Sequence, residues 1–166
     1  MNREKEIITT LLTQRKYSII DQDDDKFIAQ QNDKFILVIF SNVPLNNDSM
    51  KSYLSMLNNL SFTHMIIIYK KSFTPSAKKI VINIAQQNIK IEVFQAEKLI
   101  DITKHRLYRK HEKITGEEEQ EIREKYGDKL PKILITDPVV RWFGFEVNDI
   151  LRIKRKGGFI AYRLVV

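Results

Sequence analysis

The chain has 166 residues, 28 Lys+Arg against 21 Asp+Glu, 43% apolar residues and no cysteine. At about 100–200 residues per domain this is one domain or two small ones, and disulfide scaffolds, cysteine-based zinc or iron–sulfur sites and thiol nucleophiles are excluded. No stretch approaches the ~20 apolar residues of a membrane span, and the charged start from Met1 to Thr10 is unlike a signal peptide, so a soluble, untargeted, intracellular protein with no membrane partner is expected.

The net charge of +7 permits contact with a polyanion without requiring it. Residues 1–101 hold 13 basic and 11 acidic side chains and residues 102–166 hold 15 and 10, so the excess lies in the shorter C-terminal part. Glu117, Glu118, Glu119, Glu121 and Glu124 interrupt it, which argues against a uniform basic tail. The pattern changes near Leu99 to Thr103, dividing the chain into residues 1–100 and 101–166.

From Arg3 to Arg15, Ile7, Ile8, Leu11 and Leu12 share one helical face, with Asn2 as N-cap. Lys26 to Gln30 and Lys34 to Phe40 form a hairpin across Gln31, Asn32 and Asp33, and the second strand, apolar on both faces, is central. Ser49 to Leu60 is helical by the spacing of Met50, Tyr53, Leu54 and Leu57; Met65 to Tyr69 is an unbroken apolar strand. Thr74 and Pro75 then read as N-cap and first position of a helix striped with Ala77, Ile80, Val81, Ile84 and Ala85, leading to the strand Ile89 to Phe94. Strand, helix, strand with short joints predicts a right-handed parallel crossover, hence an α/β domain with a mixed sheet.

In the C-terminal part, Thr115 and Glu118 suggest a capping box for a polar helix stopped by Gly127. Lys132 to Thr136 reads as a strand. Asp137 and Pro138 open a short helix carrying Val140, Arg141 and Phe143 and ending at Gly144. After a turn at Asn148 and Asp149, strands Ile150 to Lys156 and Phe159 to Val166 pair across Gly157 and Gly158, which makes this part a small α+β module. Alternation along the first strand puts Arg152 and Lys154 on one face, predicting a cationic surface.

No catalytic constellation emerges. Asp21, Asp23 and Asp25 imitate a calcium loop, but Lys26 stands where glycine is needed and Asn32 where a bidentate Glu is needed, so a solvated acidic turn is the better reading. Asp24 to Lys26 matches the nuclease acid-x-Lys pattern once, with no preceding strand Asp, and Glu92 has no Lys two residues on. His105 and His111 flank Arg106, Arg109 and Lys110 without an identifiable nucleophile or acid, which favours a structural or interface role. For Arg152, Lys154, Arg155, Lys156 and Arg163 two readings stand: a solvated edge that discourages aggregation, or a docking edge for an acidic partner or nucleic acid. No metal, cofactor or small-molecule substrate is expected.

The order Leu130, Pro131, Lys132, Ile133, then Asp137, Pro138, Val139, Val140, Arg141, Gly144, then Asp149, Ile153, Arg155, and Tyr162, Arg163, Leu164, Val165 resembles the signature of the fifth RNA polymerase subunit, shared by the three eukaryotic nuclear polymerases and represented in archaea by a shorter counterpart. Upstream, Thr103, His105, Leu107 and His111 are similar to the segment leading into that family's C-terminal module. Thr74, Pro75, Ser76 and Ala77, then Ile91, Glu92, Phe94 and Leu99, are similar to the N-terminal domain of the eukaryotic form, which the archaeal counterpart lacks. The family pattern has Val-Pro where Tyr108 and Arg109 follow Leu107, a turn glycine where Asn148 stands, and a longer connection than Lys156, Gly157 and Gly158.

The resemblance implies a non-catalytic subunit of a multisubunit DNA-directed RNA polymerase, with other polymerase subunits as partners. It implies a C-terminal module on the largest subunit, with His105, His111, Pro131, Ile133, Asp137, Pro138, Arg141, Tyr162 and Arg163 as interface candidates. It further implies an N-terminal jaw-like domain, restriction-endonuclease-like but without an active site, that presents Thr74, Pro75, Ser76, Ala77 and Lys78 to downstream DNA. The expected location is the nucleus, or a cytoplasmic viral factory and virion if the short N-terminal domain marks a viral form. The rival is a free-standing nucleic-acid-binding or nuclease-like protein.

Overall fold

A computed structural model describes residues 3–166, apart from the side chain of Lys156. The predicted cap Asn2 lies outside the described residues. The chain divides between Ile100 and Asp101 into two compact units.

In the first unit, helix α1 (Arg3–Gln14) leads into strands β1 (Ser18–Gln22), β2 (Lys26–Gln31) and β3 (Lys34–Ser41), followed by α2 (Asn47–Asn59), β4 (His64–Tyr69), α3 (Pro75–Ala85) and β5 (Lys90–Gln95). The sheet runs β1-β2-β3-β4-β5. Its first two pairings are antiparallel and its last two parallel, so the sheet is mixed and β3 is central. Asn32, at positive φ, makes the β2–β3 turn without glycine.

Leu37, Ile39, Met65 and Ile67 point to one face, where Met50 and Leu57 of α2 and Ala77 of α3 close a core cluster. The alternate residues Ile36, Val38, Ile66 and Ile68 are equally buried on the opposite face, and Ile8, Leu11 and Leu12 of α1 are fully buried as well. Residues buried on both sides explain why β3 and β4 read as continuous apolar runs. Strand β1 carried no such signal: it is a bulged, exposed edge, with Ile20 55% exposed.

The second unit contains β6 (His111–Lys113), α4 (Glu117–Tyr126), β7 (Lys132–Ile133), α5 (Pro138–Phe143), β8 (Ile150–Lys154) and β9 (Ile160–Val165), with strand order β6-β8-β9-β7. Ile114, Ile122, Leu130 and Ile150 pack on the α4 face; Ile133, Val140, Leu151 and Val165 pack on the α5 face, where Trp142 is also buried.

Three expectations need correction. The capping box at Thr115 and Glu118 does not form: Gly116, at φ 69, is the N-cap and no side chain caps the helix. Glu118 is instead committed to Arg152. The strand at Lys132 ends at Ile133, because the Asp137 N–H donates to the Leu134 carbonyl and turns the chain into α5. The β8–β9 hairpin is also shorter at its tip than predicted, with Gly157 and Gly158 both at φ 83.

Candidate functional site

Helix α5 is fixed at both ends by local chemistry. The Asp137 carboxylate accepts the Val139 N–H at 2.8 Å, and Pro138 supplies the first helical φ. At the other end Gly144 adopts a left-handed conformation, and the Phe145 N–H donates to the Val140 carbonyl while the two side chains share one core. This clamped turn holds Arg141 outward and Trp142 inward.

Pairing across the sheet sorts the predicted interface residues. Arg163 faces Leu151, Ile133 faces Val165 and His111 faces Ile153, so His111, Ile133 and Arg163 lie on the α5 face with Asp137, Pro138 and Arg141. Arg163 also donates to the Lys132 carbonyl at 3.3 Å. Tyr162, one residue earlier, points to the α4 face and donates to Glu118 at 3.0 Å. A joint Tyr162–Arg163 contact to one partner group is thus excluded by strand alternation. Pro131 is exposed just before β7, and His105 is exposed in the connector, where its Nδ1 accepts the Leu107 N–H. In place of the family's Val-Pro, Tyr108 stacks on Phe143, which in turn stacks on Phe145.

Burial lowers the His111 pKa below its ordinary value, with Arg163 acting in the same sense, while the Arg109 carbonyl and Asp137 oppose them. The ring is neutral at pH 7, with Nδ1 donating to the Arg109 carbonyl at 2.6 Å. The unfolded chain binds this proton more readily, so the His111 contribution is present above about pH 6.5 and is lost as the pH falls. The pH dependence of the denaturation midpoint between about pH 7 and 5 should therefore flatten in His111→Gln. An unchanged profile would show that the ring gains nothing from its site.

The cationic face predicted for Arg152 and Lys154 is largely paired from within, three cations against two carboxylates. Arg152 pairs with Glu118 at 3.1 Å and Glu112 at 3.2 Å, and Lys154 and Lys110 share Glu112. The Lys110 ammonium and the Arg152 guanidinium hold the Glu112 carboxyl down at about 2. No sequence spacing linked Glu118 on α4 to Arg152 on β8; the link exists because both project onto one sheet face.

In the first unit, Thr74 and Ala77 serve the fold. The Thr74 hydroxyl donates to the Leu45 carbonyl at 3.0 Å and accepts the Ala77 N–H at 3.3 Å, while Ala77 is fully buried. Pro75, Ser76 and Lys78 face solvent, with the Lys78 ammonium 5.6 Å from the centre of the Phe73 ring. The acidic turn is paired locally, Lys26 with Asp23 at 3.1 Å.

A buried ionic group was missed by sequence reasoning. Arg15 makes a bidentate contact to Glu92 at 2.7 and 2.8 Å, and His64 Nε2 lies 2.7 Å from the same carboxylate. The Arg15 and Glu92 side chains are 5% and 12% exposed. Burial opposes charge on Glu92, yet the Arg15 guanidinium and His64 hold its carboxyl well below the usual range. The available signal was an acid inside the apolar strand Ile89 to Phe94, which requires a partner.

Residues 100–165 match the family model for the RNA polymerase Rpb5 C-terminal domain. Over 98% of the chain it is 28% identical to the DNA-directed RNA polymerases I, II and III subunit rpabc1 of Dictyostelium discoideum, covering 95% of that protein. It is 31% identical to the RPABC1 subunits of Caenorhabditis briggsae and Caenorhabditis elegans over 71% of the chain, which spans 59% of their length. The crystal structure of a protein of unknown function is similar at a TM-score of 0.39 and 16% identity over 75% of this chain and 78% of that one. The matched segment contains α5, the α5 face of the sheet and every interface candidate from His105 to Arg163.

Proposed function

We propose that this chain is a non-catalytic subunit of a multisubunit, nuclear DNA-directed RNA polymerase. Its C-terminal unit docks on the largest subunit through the α5 face, and its N-terminal unit brings the start of α3 near downstream DNA. The observation that carries the reading is the Rpb5 C-terminal domain match over 100–165, whose residues converge on the clamped helix α5 and the neighbouring sheet face. A restriction-endonuclease-like ancestry for the N-terminal unit is supported by its mixed five-stranded sheet, in which Glu92, the acid of the last strand, is consumed by Arg15 and His64.

Affinity purification of the tagged chain should co-recover the two largest polymerase subunits. Recovery of the chain alone, or cleavage of DNA by the purified protein with Mg²⁺, would replace the proposal with a free-standing nucleic-acid enzyme. At the jaw, Lys78→Ala with Lys79→Ala is expected to weaken DNA contact modestly and to lower the salt slope by at most about 0.9 per phosphate contact. A loss of all DNA retention by the polymerase in a salt titration would show that this loop dominates binding rather than assisting it.

A further inference from the structure

Helix α5 leaves part of its own sheet face open. Val140 packs with Ile133, Leu151 and Val165, which occupy one half of that face. Towards the hairpin tip the register runs on from Leu151 opposite Arg163 to Ile153 opposite Ala161, and the Arg155 N–H then donates to the Phe159 carbonyl at 2.8 Å. Strand alternation therefore projects Arg155 and Phe159 to the same side as Ala161 and Arg163. Phe159 is 73% exposed, more than any other large apolar residue described. An exposed apolar side chain is ordinary by itself; this one stands in the open half of a face assigned to docking.

The charges beside it narrow the partner. Two carboxylates on this side are already committed: Asp137 accepts the Val139 N–H, and Asp149 pairs with Lys113 at 2.7 Å and accepts the Glu146 N–H. Arg163 meets a neutral acceptor, the Lys132 carbonyl, and Arg155 has no ion pair among the described residues. A basic surface would be repelled here, and a wholly apolar one would cover guanidinium groups without giving them acceptors. A surface that offers an apolar pocket rimmed by carboxylates satisfies both the ring and the arginines. An aromatic side chain seated in such a pocket beside arginines is the usual composition of a binding hot spot.

We propose that Phe159 is the apolar anchor of the docking face, inserting into a pocket on an acidic segment of the largest subunit while Arg155 and Arg163 meet carboxylates at the rim. The inference rests on the docking proposed above and deepens it: it extends the contact from α5 to the hairpin tip and names the chemistry of the segment received there.

The test uses the full tagged chain, expressed alongside the polymerase and purified at graded salt. Phe159→Ala should lower recovery of the largest subunit about tenfold at every salt concentration, and Phe159→Leu should restore most of it, because the pocket takes apolar volume. Arg155→Glu should also lower recovery, with a loss that shrinks as salt is raised. Phe159 is largely exposed, so its variants are expected to keep their circular dichroism and melting midpoint. Phe159→p-benzoylphenylalanine, irradiated in the complex, should cross-link to a stretch of the largest subunit that carries Asp or Glu beside apolar residues. Wild-type recovery in Phe159→Ala, or a cross-link to a basic segment, to nucleic acid or to a second copy of this chain, would overturn the anchor and leave the subunit proposal standing so long as the wild-type chain brings down the largest subunit. A wild-type chain that recovers no largest subunit would end both.

Discussion

Replacing Glu92 by alanine is expected to destabilise the N-terminal unit by about 3–5 kcal/mol, the usual consequence of leaving a buried charge without its partner. Arg15 has a side chain only 5% exposed and would lose both carboxylate oxygens, and His64 would lose its acceptor. Set against a typical domain stability of about 5–15 kcal/mol, this is enough to populate the unfolded unit under mild stress. Urea denaturation followed by circular dichroism measures it. The double change Arg15→Leu with Glu92→Leu should recover most of the loss, because removing both charges removes the desolvation penalty with the attraction. Glu92 has its folded pKa lowered, so its contribution is present above the unfolded value near 4.5 and is lost as the pH falls. A single-mutant effect below about 1 kcal/mol would show that Arg15 finds water when Glu92 is gone.

Reversing Arg141 and Arg163 together to glutamate is expected to reduce recovery of the largest polymerase subunit by tenfold or more, since each substitution sets a like charge against whatever acid receives the arginine. The C-terminal unit should survive the change. Arg141 is exposed, and the bond from Arg163 to the Lys132 carbonyl is a surface contact. Quantitative affinity purification of tagged wild-type and double-mutant chains measures the effect. Normal incorporation of the double mutant would move the docking surface off the α5 face. Tyr162→Phe is the informative companion: Tyr162 serves Glu118 on the opposite face, so its loss should change stability before it changes incorporation.

Legibility from sequence followed the range of the interactions involved. Helices α2, α3 and α5 were placed by caps and spacing within a dozen residues, and at Thr74 and Asp137 the predicted cap bonds are formed. Strands β3 and β4 were readable because burial on both faces leaves only apolar residues. The edge strands β1 and β6 were not, since a half-exposed strand tolerates Asp, Gln, Glu and Lys and loses its alternation. Among the proposed interface residues the grouping was not legible: Tyr162 and Arg163 are sequence neighbours on opposite faces. The cationic hairpin face failed for a related reason. Charge on one strand was read without Glu112 on β6 and Glu118 on α4, which only the fold brings to it.

Trp142 is the sole tryptophan of the chain and lies 3% exposed in α5. Nature has thereby built a fluorophore into the helix assigned to docking. Its emission maximum reports how dry that helix remains, without labelling and without signal from the N-terminal unit, which has tyrosines but no indole. Under the docking proposed above, the change in intensity as its quenchers rearrange would give the kinetics of assembly in a stopped-flow cuvette.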